Sequence, residues 1–428
     1  MIIDMELYLP RLIDEKLVTY LNTFGAVSVE GPKWIGKTLT CEQVAKSAFY
    51  FSRRPGEPDP LEIAKLDSSY VFQGESPHLI DEWQLMPEVW DMVRSDVDAK
   101  RGRKGLYLLT GSSVPPQKKA EKRRMKHSGA GRIATLKMST MSLFETGDST
   151  GDVSLSSLFE REGVRGQLRK TSLKEIIHFI VRGGWPGNLD IEDSSIIPRD
   201  YIDRVYTSEL DKLEEGAKID LAKFRRLMFS LARNESTVCS MTALAKDAGV
   251  NNKKLDEETV SSYLNILDDL FLLSDQKAFS PDFRSRTRLK IGRKRHFSDP
   301  SLAAAIVGAN ENNLINDLNF LGFLFESLAE HDLRVYMEFL GGKVYHYQDY
   351  DNDEVDAVVE LNDGRYALIE IKLGYDESVL DNAVRGLKKV ENKLERKPEF
   401  LAVISAMAPA PLRRSDGVYI LPLTSLKP

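Results

Sequence analysis

Gly31-Pro32-Lys33-Trp34-Ile35-Gly36-Lys37-Thr38 stands directly after the apolar run Ala26-Val27-Ser28-Val29 and opens a helical pattern. The stretch fits G-x-x-x-x-G-K-[ST], and each fixed position has a physical reason. Glycines let main-chain N–H groups turn inward around phosphate oxygens. The helix that follows starts at the loop, so its positive end faces the same phosphates. Lys37 has the reach for the β- and γ-phosphates, and the Thr38 hydroxyl is a ligand for Mg²⁺. A chance match is the plain alternative, and the strand–loop–helix setting argues against it. The expectation is a nucleotide site at Gly31, Pro32, Lys33, Trp34, Ile35, Gly36, Lys37 and Thr38, with ATP and Mg²⁺ as cofactors.

The next signals fall where such a site needs them. Leu79-Ile80-Asp81-Glu82 is an apolar run ending in two acids. Asp81 suits the metal side of a phosphate site, and Glu82 suits the group that orients or deprotonates an attacking water. Thr110-Gly111-Ser112-Ser113 follows the strand-like Gly105-Leu106-Tyr107-Leu108-Leu109. A hydroxyl there either positions the water or merely ends a strand. Arg132, in His127-Ser128-Gly129-Ala130-Gly131-Arg132, reads either as a finger completing a neighbouring copy's site or as an ordinary surface arginine. The finger reading implies a homo-oligomer.

With those residues in place the sequence resembles the prokaryotic AAA-family ATPases that carry a C-terminal domain of unknown function. The matching stretches include GPKWIGKT, LIDEWQ, LLTGSS, HSGAGRI, MSLFE, GGWPGNL, SRTRLK, KRHFSDPSLA, LGFLFESL, EVDAVVEL and IEIKLG. The resemblance implies a P-loop ATPase domain, a helical region with a winged helix, and a domain similar to restriction-type nucleases. It assigns the phosphate loop to Gly31, Gly36, Lys37 and Thr38 and the acidic pair to Asp81 and Glu82.

Composition agrees with several globular domains. A chain of 428 residues, at ~150 per domain, suggests about three. Its 42% apolar and 29% charged residues exclude a disordered or collagenous chain. The 2 cysteines, Cys41 and Cys239, lack metal-ligand or disulfide-scaffold spacing. No apolar run reaches the ~18 residues of a membrane span, and the N-terminus lacks a positively charged leader. A cytoplasmic protein without a membrane contact is the expectation. Breaks in pattern divide the chain into an ATPase domain over 1–150, a helical region over 151–295 and an α/β domain over 296–428. Pattern and resemblance together imply an α/β fold class: a parallel-sheet P-loop domain, a helical middle region that the resemblance makes a winged helix, and an α/β domain that the resemblance makes nuclease-like.

In the middle region a short helix from Ser240 to near Gly249 and a longer one from Glu257 to Leu273 make a helix-turn-helix shape. In the C-terminal region an apolar helix over 314–333 precedes strand-like runs at 334–340, 343–349, 354–361 and 365–373. A charged helix at 376–395 and a strand at 400–404 follow. Asn362-Asp363-Gly364 signals a hairpin. A three-residue loop there pairs residues whose numbers sum to a constant, and sets Asp356 opposite Glu370, with Cβ atoms ~5 Å apart. Two like charges so placed call for a cation, and Mg²⁺ suits carboxylate oxygens. The pattern D-x(13)-E-x-K resembles the motif of restriction-type nucleases. In that reading Asp356, Glu370 and Glu326 bind metal and Lys372 orients water or stabilises the phosphorane charge. The alternative is a recognition module that keeps the fold without cleavage.

The net charge of -6 gives no general reason to bind polyanions. Locally, Arg284, Arg286, Arg288, Lys290, Arg293, Lys294 and Arg295 crowd one window without an acid. They read as a track for a DNA backbone, as a solvated face, or as a contact with an acidic neighbour. Lys118, Lys119, Lys122, Arg123, Arg124 and Lys126 form a second basic window. Three functional readings remain: an ATPase coupled to DNA binding or processing, an ATP-regulated nuclease, and an ATP-dependent switch acting on a protein partner.

Overall fold

The computed structural model describes residues 8–52, 56, 58–113, 129–210, 219–251, 253–280 and 292–428. Five short strands build the N-terminal sheet: β1 (Ala26–Glu30), β2 (Ser47–Tyr50), β3 (His78–Asp81), β4 (Tyr107–Gly111) and β5 (Ile133–Lys137). They run parallel in the order β2-β3-β4-β1-β5. The inner strands β3, β4 and most of β1 are buried along their whole length. That explains their unbroken apolar sequence, since both faces of a parallel sheet are covered. Helix α1 (Ile13–Leu21) precedes β1, and α2 (Lys37–Glu42), α3 (Pro60–Leu66) and α4 (Glu88–Ala99) follow β1, β2 and β3. In α4 the buried Val89, Val93 and Val97 recur every four residues and make a single apolar stripe. The carboxyl ends of β1, β3 and β4 come together, the place where open parallel sheets gather ligands.

Contacts separate this first unit, ending at Ser139, from a second that begins at Thr140, with Ile266–Phe271 counted in the first. The expected borders at 150/151 and 295/296 both fall within the second unit. Thr140 bonds His331 at 2.8 Å, and Leu143 N donates to Asp332 Oδ2 at 3.1 Å, so residues 140–143 are fixed to the helix Leu318–Phe339. Residues of the middle region also enter the C-terminal sheet.

That sheet has seven strands. In chain order after β6 (Val153–Ser154) they are β7 (Lys277–Ala278), β8 (Lys343–Gln348), β9 (Glu354–Glu360), β10 (Tyr366–Lys372), β11 (Leu401–Ser405), β12 (Leu412–Arg413) and β13 (Tyr419–Pro422). Their spatial order is β12-β13-β11-β10-β9-β8-β7. The helix Glu377–Lys393 crosses between the parallel pair β10 and β11 and buries Val384, Leu387 and Val390 against Val358, Leu368 and Val403. The last strand, β14 (Leu426–Lys427), leaves this sheet and pairs in parallel with β6.

The expected strand at 334–340 is helix instead. Arg334 forms an i,i+4 ion pair with Glu330, and Tyr336 and Met337 are fully buried, so the helix continues to Phe339. The helix pair of the middle region forms at Met241–Asp247 and Glu257–Asp269. After it, antiparallel bridges join Leu273 to Phe297 and Gln276 to Lys294.

The hairpin has the expected register. Tyr366 pairs with Glu360 and Ile369 with Ala357, so 362–364 is a three-residue loop. Gly364 is left-handed at φ 87°. A Cβ there forces an L-residue into that region, so Gly364→Ala should cost roughly 1 kcal/mol. Urea unfolding should show a lower midpoint with an unchanged slope; an unchanged midpoint would contradict the turn.

Candidate nucleotide site and a C-terminal carboxylate cluster

The loop after β1 turns tightly. Trp34 and Gly36 adopt left-handed backbones at φ 63° and 92°. A Cβ on Gly31 would lie 2.1 Å from the Met138 carbonyl oxygen, so only glycine fits beside the end of β5. Lys37 opens α2 and folds back over the loop, donating to the carbonyls of Gly31 at 3.0 Å and Pro32 at 2.5 Å. Burial lowers its ammonium pKa to about 8, against the pull of Glu82 and Asp81. The side chain of Ile35 is fully buried in the core, while Trp34 is half exposed. Thus the eight loop residues divide between those that can face a ligand and those that hold the loop.

Arg11, to which the sequence reading gave no role, braces the loop from behind. It is buried, and its guanidinium donates to Ile35 O and Ser139 O, both at 2.8 Å. Tyr8 likewise donates to Asp14 at 2.7 Å and lies 3.1 Å from the Thr40 hydroxyl.

Asp81 ends β3 and gathers its neighbours. Its Oδ1 accepts from Thr38 Oγ1 at 2.7 Å and from Thr110 Oγ1 at 2.6 Å. Thr110 Oγ1 in turn accepts from Glu82 N at 3.0 Å. Glu82 has φ 59°, a left-handed turn that swings its side chain away from the strand direction. Its carboxylate accepts from Ser112 Oγ at 2.8 Å and from Gln84 Nε2. Gln84 also donates to Ser112 Oγ at 3.1 Å. Trp83 packs on Trp90 with centroids 5.0 Å apart, and a Cβ on Gly111 would stand 3.0 Å from the Trp83 indole nitrogen. The strand-end hydroxyls therefore hold Asp81 and Glu82. Gln84, the other partner of Glu82, was legible only as part of the LIDEWQ stretch. Arg132 is exposed and pairs with Asp98 at 2.8 Å.

In the second unit the structure gathers Glu326, Asp356, Glu370 and Lys372. Lys372 Nζ lies 2.9 Å from Asp356 Oδ2 and 2.5 Å from Glu370 Oε2. Ile371 N also donates to Asp356 Oδ2 at 2.8 Å. Burial raises Glu326 and Glu370, and the nearby Asp356 adds to both. Burial acts the same way on Asp356, but Lys372 and Lys294 outweigh it and keep that carboxyl low.

Lys294 is a correction to the expected basic track. It is buried and ion-paired with Glu326, and its Nζ lies 3.7 Å from Asp356 Oδ1. Arg295 is taken by Asp275. Arg293 is exposed. Arg284, Arg286, Arg288 and Lys290 lie outside the described residues, as do Lys118, Lys119, Lys122, Arg123, Arg124 and Lys126. Among the described residues no helix is long and apolar enough to cross a membrane.

Residues 23–147 match the model of an AAA domain. Residues 173–313 match a domain of unknown function (DUF8612), and residues 321–426 match another (DUF4143). Among solved structures, similarity extends to a Walker-type ATPase of Pyrococcus abyssi, at 12% identity over 71% of this chain and 97% of that chain, TM-score 0.42. The ORC2 protein of Aeropyrum pernix, in its ADP form, is 16% identical over 72% of this chain and 96% of its own, TM-score 0.29. No curated protein matches. The loop geometry and the domain match agree: the N-terminal part of this chain is an AAA-type, ATP-binding P-loop ATPase domain.

Proposed function

We propose that the chain hydrolyses ATP with Mg²⁺ at residues 31–38, with Glu82 orienting and deprotonating the attacking water. The observation that carries this reading is the hold on Glu82: its main-chain N–H bonds Thr110 and its carboxylate bonds Ser112 and Gln84. A glutamate held at its main chain and at one carboxylate oxygen keeps its side chain in one direction, which positions a proton acceptor before substrate arrives. Thr38 and Asp81 are hard oxygen donors 2.7 Å apart, a donor set that suits Mg²⁺. When bound, the ion neutralises charge on the phosphates. Lys37 exchanges the carbonyls of Gly31 and Pro32 for phosphate oxygens, and Arg11 keeps the loop open for that exchange.

The work done with this energy is read as DNA binding or processing. Support comes from the helix pair followed by the bridged segments 273–276 and 294–297, an arrangement like a winged helix. The helix–three-strand–helix–strand order of residues 318–405 is further support, because it is like that of restriction-type nucleases. Lys294 and Arg295, spent on internal ion pairs, weaken the case for a basic track. Stimulation of the ATPase rate by DNA at low salt is the expected result, and an unchanged rate would favour action on a protein partner.

Glu82→Gln should bind ATP normally and hydrolyse it roughly 10²–10⁴ times more slowly in a steady-state phosphate-release assay. Wild-type turnover in that variant would end the assignment. Lys37→Ala should abolish nucleotide binding measured by calorimetry. The lowered Lys37 also sets a pH dependence. Its ammonium is charged below about pH 8, where ATP binds best, and loses its proton as pH rises through that value. ATP affinity should therefore fall on the alkaline side; a flat profile from about pH 6.5 to about 9.5 would contradict it.

A further inference from the structure

The C-terminal cluster has an unequal balance of charge. Glu326, Asp356 and Glu370 bring three carboxylates, and Lys372 neutralises Asp356 and Glu370 from one side only. Glu326 is out of its company: the helix Leu318–Phe339 delivers it to the opposite side of Asp356, where Lys372 makes no ion pair with it among those described. Asp356 accordingly presents two different oxygens to two different cations. Its Oδ2 takes Lys372 and the Ile371 N–H, and its Oδ1 faces Lys294. Lys294 Nζ sits between Oδ1 of Asp356 and Oε1 of Glu326. Two partly buried carboxylates on separate elements, bridged by one positive centre, form the arrangement in which a divalent cation would otherwise be expected.

Lys294 is fixed in that position by its own main chain. Its N–H donates to Gln276 O at 3.0 Å and its carbonyl accepts from Gln276 N at 2.9 Å. The Gln276 side chain, also buried, donates to the Asp356 carbonyl at 3.2 Å. The main chain of Lys294 is thus tied through Gln276 to the strand that carries Asp356, and a surface lysine swinging in by chance would lack that anchor.

We propose that Lys294 is the resident cation of this cluster: its ammonium holds the place between Glu326 and Asp356, the wild-type chain takes no divalent ion there, and removing the ammonium opens a divalent-cation site. The inference stands on the second unit alone and does not depend on the ATPase reading. It also sets the C-terminal unit apart from a metal-dependent nuclease, since both oxygens of Asp356 and one oxygen each of Glu326 and Glu370 already face a lysine.

The test is Mn²⁺ binding to the full chain without nucleotide, measured by the electron paramagnetic resonance of free Mn²⁺. Wild type, Asp356→Asn, Lys294→Met and the double variant are compared. Wild type and Asp356→Asn should bind Mn²⁺ equally. Lys294→Met should gain one site at least about tenfold tighter than any in wild type, as a unit of like charge no longer occupies the place between the two carboxylates. The double variant should lose the gain. Lys294→Met should also melt lower than wild type, with Mn²⁺ restoring the loss, which keeps the test readable when the variant folds only with metal. A wild-type Mn²⁺ site abolished by Asp356→Asn would overturn the proposal. So would a folded Lys294→Met chain with no gain in Mn²⁺ binding, or an unfolded one that Mn²⁺ does not rescue.

Discussion

One oxygen organises the N-terminal site. Oδ1 of Asp81 accepts from Thr38, at the start of α2, and from Thr110, at the end of β4. These hydroxyls come from different elements, and the shared carboxylate locks the ends of β3 and β4 to the loop that follows β1. Each bond is worth only about 1.5–3 kcal/mol when one partner is charged. Their value lies in register: the loop, the acid pair and the hydroxyls cannot shift separately. Arg11 does for the back of the loop what Asp81 does for its front, joining Ile35 to the end of β5 through two carbonyls.

Local patterns in the sequence point to the residues that gather at these places. The glycine spacing of 31–38 reflects the two places where a side chain or an ordinary backbone would not fit. Asn362-Asp363-Gly364 determined a register, and with it the meeting of Asp356 and Glu370. Other parts depended on contacts that no local pattern encodes. Arg11 reaches a carbonyl 24 residues away. The helix past 333 was mistaken for a strand because Val335, Tyr336 and Met337 suit either structure, and burial against the core decides between them.

The basic window teaches a different lesson. Counting charges treats 284–295 as one surface, but the described residues of that window have different surroundings. Arg293 is exposed, Arg295 pairs with Asp275, and Lys294 is buried and meets Glu326 and Asp356. The same domain neutralises an exposed acidic loop in a similar manner, with Lys393 Nζ 2.6 Å from Asp349 Oδ2 and 2.8 Å from Asp351 Oδ2. Lysines from neighbouring elements thus meet carboxylates that, read alone, look like metal ligands.

The pairing of β14 with β6 concerns the order in which the polypeptide is made. Val153 and Ser154 find their strand partners at Leu426 and Lys427, and Ser149 donates to Leu426 O at 2.6 Å. On the ribosome, the edge of Val153 and Ser154 must wait unsatisfied until Leu426 and Lys427 are made, a separation of more than half of the 428 residues. Unpaired strand edges are sticky, and a waiting edge is an opening for a chaperone or for misassembly. The pairing of β6 with β14 therefore forms only after Leu426 has been made.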